Sequence, residues 1–485
     1  THRMSSAASD VYKRQSKFNR ENLSKKITEG AVILHGNNTV YRNNDVAFDF
    51  RQDSNFHYLT AWPEPFAHAI IIVKEKQPDL YLFVQDRNVE METWDGKRFG
   101  PEGAKKYFGA TEAFTYDDYE KIAPKLLSGI QDIYCDYSNE IFEKYDKKII
   151  NQATPYDQRG ASFSDASIRP LSPILSELRL IKNEDEINYL KKACEITVEG
   201  HKVAMQYAQK NMFEYQIEAE MEKTFYDLGA ERLGYPSIVA SGDNACILHY
   251  STNREKVDNS GLVLIDAGAE YNMYSSDVTR TFPINGKFSA PQKDVYQEVL
   301  KAQTLGINSV NTKNTMSDIH KLTVSSISQS LVDLGLVPMG VDETISMMHY
   351  FEFFMHGTGH WLGLDVHDAG SVEENNKPRK LMPGMVTTVE PGIYIRPNKP
   401  EIEFKLLERD PKEIRERRKL LGMEKATKLE NEEIKDAKSI KHKIPKDLLG
   451  IGIRIEDDIV CTDDEPINLT EEAPKSIEDV EAICS

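Results

Sequence analysis

Five residues in the second half of this 485-residue chain have the donor chemistry to hold hard divalent cations. They are Asp266 in Leu264-Ile-Asp-Ala-Gly, Asp277 in Ser275-Ser-Asp-Val-Thr, His360, Glu390 and Glu456. Four carboxylates and one imidazole, with no cysteine among them, suit manganese, iron(II), cobalt or zinc bridged by carboxylates better than a thiolate zinc site. Two ions are needed to use that many anionic oxygens. Around His360 the segment His356-Gly-Thr-Gly-His360-Trp-Leu-Gly-Leu-Asp-Val-His367-Asp gathers three imidazoles among glycines, where missing side chains let backbone approach a ligand. No glutamate follows His356, so this is not the H-E-x-x-H helix of zinc proteases. His249, in Ile247-Leu-His-Tyr, is a further candidate, although a lone histidine on an apolar stretch is more often a satisfied core residue.

Each acid taken alone has an ordinary explanation. Asp266 closes a strand and Asp277 accepts turn hydrogen bonds in the plainer reading. Their joint meaning depends on elements that bring them together. The run from Gly261 to Arg280 reads as strands, and two aspartates on neighbouring strands of a hairpin would point into one cluster. In Ile451-Gly-Ile-Arg-Ile-Glu-Asp-Asp, period-two alternation puts Ile451, Ile453 and Ile455 on one face and Arg454 with Glu456 on the other. Two charges on a strand otherwise fit for burial are either a surface ion pair or a metal ligand beside an orienting guanidinium. Met385 to Ile395, carrying Glu390, also reads as strand.

The chain is long enough for two cores. From residue 16 to 170, apolar segments such as Ala69 to Val73, Leu80 to Val84 and Gln131 to Tyr134 alternate with polar helical stretches, as in an α/β layer domain. The aromatic stretch from Asn55 to Pro65 reads as a strand end and turn. Prolines at 170 and 173 mark a crossing into a second domain, residues 171–485, of α+β character. Asn183 caps a helix carrying Ile187, Leu190, Cys194, Val198 and His201, and further helices are expected over Tyr215 to Leu228, Lys293 to Ser309 and Met316 to Leu334. Residues 1–15 are small, polar and aperiodic and read as a non-native or disordered leader. Residues 401–447 are more than half charged, with both signs mixed, and read as a solvated helical insertion whose removal would leave the chemistry intact.

Composition excludes other classes. A formal charge of -18 disfavours nucleic acid and anionic membrane surfaces as partners. Five scattered cysteines without a C-x-x-C pair give neither a disulfide framework nor a thiolate site and fit a reducing cytoplasm. No apolar run approaches the roughly 20 residues that span a bilayer.

The ordered segments Ile265-Asp-Ala-Gly, Ser276-Asp-Val-Thr-Arg-Thr-Phe-Pro, the His356 to Asp368 run, Val389-Glu-Pro-Gly-Ile-Tyr and Gly450-Ile-Gly-Ile-Arg-Ile-Glu-Asp-Asp resemble the creatinase and methionine-aminopeptidase superfamily, and specifically aminopeptidase P. Phe56-His-Tyr-Leu-Thr-Ala-Trp-Pro-Glu-Pro and Gln85-Asp-Arg-Asn-Val-Glu-Met-Glu-Thr-Trp-Asp-Gly resemble that family's smaller creatinase-like domain. The resemblance implies an α/β N-terminal domain followed by an α+β pita-bread catalytic domain. It implies two divalent ions, usually manganese, on Asp266, Asp277, His360, Glu390 and Glu456. It places His249, His356 and His367 around a peptide with proline second, sets Arg454 beside the cluster, and makes Trp94 a wall of the peptide site, acting on a neighbouring subunit of a dimer or tetramer. The expected reaction is hydrolysis of the N-terminal Xaa-Pro bond by a metal-bridged water, with Glu390 accepting its proton and the histidines holding peptide and oxyanion. A Xaa-Pro bond has no N–H and a restricted shape, so its cleft must recognise the ring. Two other readings share the fold: a prolidase restricted to dipeptides, and a non-catalytic peptide-binding module.

Overall fold

The computed structural model describes residues 6–137, 140–153, 166–257 and 261–485. The chain divides into two compact units, Thr1–Arg179 and Leu180–Ser485. The division lies beyond the expected crossing at Pro170 because the helix Ser172–Leu180 is tied back to the first unit. Tyr58 Oη donates to the Leu178 carbonyl at 3.2 Å, and the Arg179 guanidinium donates to Asn55 Oδ1 at 2.8 Å.

The first unit is an α/β layer structure around a six-stranded mixed sheet. Across it run Glu112–Thr115, Gln77–Val84, His68–Lys74, Gly30–His35, Asp132–Cys135 and Ser167–Pro170. The Ile70, Ile71 and Ile72 run is buried on both faces, which is why it reads as continuous rather than alternating. Residues 54–60 form a short helix, Ser54–Thr60, instead of a strand end, because Asp53 accepts from the Phe56 amide and caps it. The first helix, Ser6–Lys26, takes in much of the stretch read as a leader, and Gln15 and Ser16 are already buried. The face it buries is itself largely polar, with Asn19 and Arg20 donating to the carbonyls of Tyr58 and Leu59, so no apolar period marks it; residues 1–5 lie outside the described part.

The second unit is built on long helices and short antiparallel strands. Glu184–Tyr207 begins at Asn183, whose side chain and that of Glu186 satisfy each other's backbone N–H in a capping box. Glu214–Asp227, Ala290–Asn308 and Met316–Asp333 follow close to the expected spans. One antiparallel sheet contains Ile238–Ser241, Leu262–Ala267 and Val278–Pro283. Another contains Val386–Val389, Asp457–Val460 and Ile467–Asn468, while Gly392–Tyr394 pairs with Gly452–Arg454. Ile451, Ile453 and Ile455 join the apolar core while Arg454 turns to Asp266 and Thr279, but the continuous strands read from the sequence are each broken, Glu456 lying between Gly452–Arg454 and Asp457–Val460 and Glu390 between Val386–Val389 and Gly392–Tyr394.

The charged insertion is an ordered lobe. Strands Glu401–Lys405 and Ser439–Lys443 pair through five positions and carry a hairpin of two helices, Pro411–Leu421 and Met423–Ile434. Ile402, Phe404, Ile414 and Ile444 join the main core beside Tyr350, Phe353 and Phe354. The Arg409 amide donates to the Ser346 carbonyl at 2.8 Å, and the Phe404 ring meets His349 edge-on at 5.0 Å. Excising 401–447 would therefore strip cover from Tyr350, Phe353 and Phe354, in the segment leading into His356.

One buried ion pair locks the sheets together. Arg280 and Asp457 are both fully buried and bonded at 2.6 Å. The same guanidinium donates to the carbonyls of Thr279, Glu456, Ala473 and Pro474. Burial raises the Asp457 pKa, but the opposed charges of Arg280 and Lys475 and their hydrogen bonds win and hold it well below the usual carboxylate range. Arg280→Met leaves Asp457 with less compensation and is expected to cost about 3–5 kcal/mol in urea unfolding of the full chain. A depressed carboxylate stabilises the fold above its unfolded value of 3.8 and loses that contribution as pH falls below it, so the variant should also show a shallower acid limb.

Candidate metal centre

Strand pairing sets the two aspartates side by side. Asp266 lies opposite Thr279 in the register of Leu262–Ala267 with Val278–Pro283, and Asp277 stands at the residue before the second strand. The Tyr235 hydroxyl reaches both carboxylates, at 2.6 Å from Asp266 Oδ1 and 2.5 Å from Asp277 Oδ1. Gly268, in the Asp-Ala-Gly turn, is obligatory: a Cβ there would stand 1.8 Å from the Ser276 carbonyl.

His360 and Glu390 come from two segments zipped together by backbone. The Thr388 amide donates to the His360 carbonyl at 3.0 Å and the Glu390 amide to the Thr358 carbonyl at 2.8 Å. Gly359 permits this, since a Cβ would meet the Thr388 carbonyl at 1.9 Å. His360 Nδ1 lies 2.9 Å from the Trp361 carbonyl, which fixes that nitrogen as the N–H donor and leaves the Nε2 lone pair facing the acids. His360 Nε2 is 3.2 Å from Asp277 Oδ2 and 3.7 Å from Glu390 Oε1. Ligand atoms of Asp277, His360 and Glu456 lie within 4.8 Å of one another. Glu456 Oε2 accepts from the Thr279 hydroxyl at 2.6 Å.

Arg454 closes the back of the cluster. It donates to Asp266 Oδ2 at 2.6 Å, to Thr279 Oγ1 at 3.0 Å and to the Tyr394 hydroxyl at 2.9 Å. Tyr394 in turn is 2.8 Å from His356 Nε2. With His356 Nδ1 donating to the Gly357 carbonyl, Nε2 is the acceptor and Tyr394 the donor. His367 meets His360 edge-on at 4.3 Å. His249 is exposed on a loop and has no direct bond to the cluster, although it lies within electrostatic reach of His356 and His367. Trp94 belongs to the first unit, on the helix Val89–Asp95, and its indole is 85% exposed.

The electrostatics describe a site short of positive charge. Burial, reinforced by neighbouring carboxylates, raises the pKa of Asp266, pushes Glu456 well above the ordinary range and brings Glu390 up to about 7. For His360 burial pulls downward, but the hydrogen bond to Asp277 and the charges of Asp277 and Glu390 outweigh it and lift the value to about 9. His356 is lowered to about 3 by burial and then by Arg454, so it is neutral. Four acids sharing one pocket with an imidazole whose lone pair faces them are a donor set that divalent cations fit. The cluster is open on one side: His360 and Glu390 side chains are 23% and 18% exposed, whereas Asp277 is 7% exposed.

Sequence reading missed Tyr235, Tyr394 and Thr279. Tyr394 sat inside a segment already singled out, Val389-Glu-Pro-Gly-Ile-Tyr, but Tyr235 carries no local signal because its partners lie 31 and 42 positions away. Asp458 was likewise quoted without a role; its Oδ2 accepts from the Asp277 amide at 3.0 Å and holds that turn.

Comparison with known proteins agrees with this architecture. Residues 188–463 match metallopeptidase family M24, and residues 17–134 match the aminopeptidase P N-terminal domain. The Xaa-Pro aminopeptidase of Haemophilus influenzae is 38% identical over 93% of this chain and 92% of its own length. That of Escherichia coli is 34% identical over 98% of both. Among solved structures, a Pseudomonas aeruginosa aminopeptidase superposes with a TM-score of 0.85 at 35% identity, covering 97% of this chain and 98% of the other. An Escherichia coli aminopeptidase P variant in complex with substrate gives 0.83 at 33% identity, covering 97% and 98%. Full-length relatives and both domain matches lead to one assignment: the chain belongs to metallopeptidase family M24, in the branch that carries the aminopeptidase P N-terminal domain.

Proposed function

We propose that the protein is a Xaa-Pro aminopeptidase that removes the first residue from peptides with proline second, using two divalent ions, manganese in the first instance. The observation that carries this reading is the convergence of Asp266, Asp277, Glu390 and Glu456 on a histidine whose Nε2 lone pair faces them. Residues Asp266, Asp277, His360, Glu390 and Glu456 would hold the ions. Bound there, such ions supply Lewis acidity and make water a nucleophile near neutral pH.

The side chains divide the remaining work. Glu390, on the open side of the cluster, is a carboxylate placed to take a proton from water and pass it to the departing nitrogen. Arg454 neutralises part of the acidic charge and, through Tyr394, fixes the ring of neutral His356. His249 and His367 orient the peptide and stabilise the oxyanion, and His356, its nitrogens engaged by the Gly357 carbonyl and the Tyr394 hydroxyl, shapes the wall beside them. Trp94, exposed on the first unit, is offered to substrate held by a neighbouring copy in a dimer or tetramer. A cytoplasmic location fits five cysteines that are all unpaired.

Two measurements test this. Digestion of Xaa-Pro peptides of increasing length with manganese, followed by mass spectrometry, should show loss of one N-terminal residue from tripeptides and longer chains and no turnover with chelator. Glu390→Ala should lower kcat by about 100-fold or more. Cleavage of dipeptides alone would select a prolidase, and affinity without turnover under manganese saturation would select a binding module. Second, loading must displace protons, because Glu390 titrates near 7 and His360 near 9 in the metal-free chain. Manganese affinity should therefore fall as pH drops from 8 to 6, by about tenfold per pH unit for each proton displaced. Equilibrium dialysis at fixed ionic strength reads this directly, and a flat profile would mean that these two groups are not ligands.

A further inference from the structure

Within the second unit is a buried ion pair, Lys182 with Asp368, that none of the chemistry above uses. Lys182 Nζ is 2.9 Å from Asp368 Oδ2, and both side chains are only 1% exposed. Moving two charges out of water costs more than filling the same volume with apolar groups, so this pair is a poor device for stability alone. What it provides is direction.

Its two ends are fixed to different parts of the second unit. Lys182 stands between the helices Ser172–Leu180 and Glu184–Tyr207, its amide donating to the Gly384 carbonyl at 2.8 Å. Asp368 closes the turn that begins at Trp361: its amide donates to the Trp361 carbonyl at 2.9 Å, and its Oδ1 accepts from the Asp365 amide at 3.3 Å. Inside that turn, Gly363 leaves the space the pair fills, since a Cβ there would stand 2.2 Å from Asp368 Oδ2 and 2.9 Å from Lys182 Cε. The Gly363 carbonyl accepts from the Ser275 amide at 2.9 Å, two residues before Asp277. The residue preceding Asp368 is His367, whose ring lies 4.3 Å from that of His360.

We propose that the Lys182–Asp368 pair is a positioning device for His367, clamping the turn of residues 361–368 so that this imidazole stands beside His360. The proposal rests on the peptidase reading for its kinetic consequence, but the placement of the ring can be measured without turnover. Lys182 and Asp368 touch no reacting atom; they act through His367.

The test uses the full chain with both charges exchanged at once, Lys182→Met with Asp368→Leu, so that neither partner is left buried alone. Manganese stoichiometry should be that of the parent. On a Xaa-Pro tripeptide kcat should fall about 10- to 100-fold, as expected for a small misplacement of a site group, with KM moving less. Adding His367→Ala in the exchanged background should cost little more, whereas the same change in the parent costs most of the loss. Independently of activity, the His367 ring resonances in histidine-labelled, metal-free protein, assigned by difference with His367→Ala, should shift. Parent-like kcat and an unmoved resonance in the exchanged protein would overturn the proposal, as would losses that simply add. Should the exchanged protein not fold, Gly363→Ala presses on the pair from inside the turn, and an unmoved His367 resonance in that variant is equally fatal. Absence of Xaa-Pro turnover in the parent would instead defeat the peptidase reading, and the resonance would still decide the role of the pair.

Discussion

Crowding of like charge governs this molecule. Two carboxylates 4 Å apart repel by about 4 kcal/mol even at an effective dielectric of 20, and here four acids share one pocket with a single guanidinium at its back. Left to itself such a pocket would bind protons or open, and the raised values of Asp266, Glu390 and Glu456 are the first of those responses. The second is prevented by where the acids are mounted. Each sits on a strand or turn braced by buried contacts of its own, so relaxing one carboxylate means dismantling a sheet.

The braces are mostly polar, which is unusual enough to be informative. Arg280 with Asp457 joins the Asp277 strand to the Glu456 strand, Asp458 holds the Asp277 amide, and Tyr235 straddles Asp266 and Asp277. A core of isoleucines alone could bury the same strands, but apolar packing tolerates small slips that a cation site does not. Buried, hydrogen-bonded charges specify position at an energetic cost, and hydrophobic burial in the surrounding cluster of Ile265, Phe282, Ile393 and Ile453 offsets it.

How far the sequence discloses this depends on whether a signal is local. The Asp266 and Asp277 hairpin was legible because strand period and glycine punctuation lie within the same 20 or so residues. The Arg454 and Glu456 face was legible from alternation, and the long helices from capping at Asn183 and apolar period. Tyr235 and Lys182 were not, because each is an ordinary residue locally and acquires meaning from partners brought close only by the fold. The insertion misled for a different reason. Its charge density describes the surface of the helical hairpin accurately, while the few residues that dock it, Ile402, Phe404, Ile414 and Ile444, are spaced too widely to register against so many charged neighbours. The first helix escaped for another reason: the face it buries, with Ser16, Asn19, Arg20 and Ser24 beside Leu23, is mostly polar, so no apolar period marks it.

The asymmetry of the cluster then sets how a substrate must approach. Asp277, Glu456 and Arg454 form a closed floor, while His360 and Glu390 face the open side, with His356 and His367 flanking them. Of the two flanking rings, His356 has both nitrogens engaged, by the Gly357 carbonyl and the Tyr394 hydroxyl, whereas His367, held neutral by burial, meets a substrate carbonyl without adding charge to an already crowded pocket. The segment that delivers His356 is held from behind by the 401–447 lobe, through Phe404 on His349 and Arg409 on Ser346. The lobe is inserted between Gly392–Tyr394, just after Glu390, and Gly452–Arg454, just before Glu456. The insertion thus follows Glu390 in the chain and packs against the segment that leads to His356.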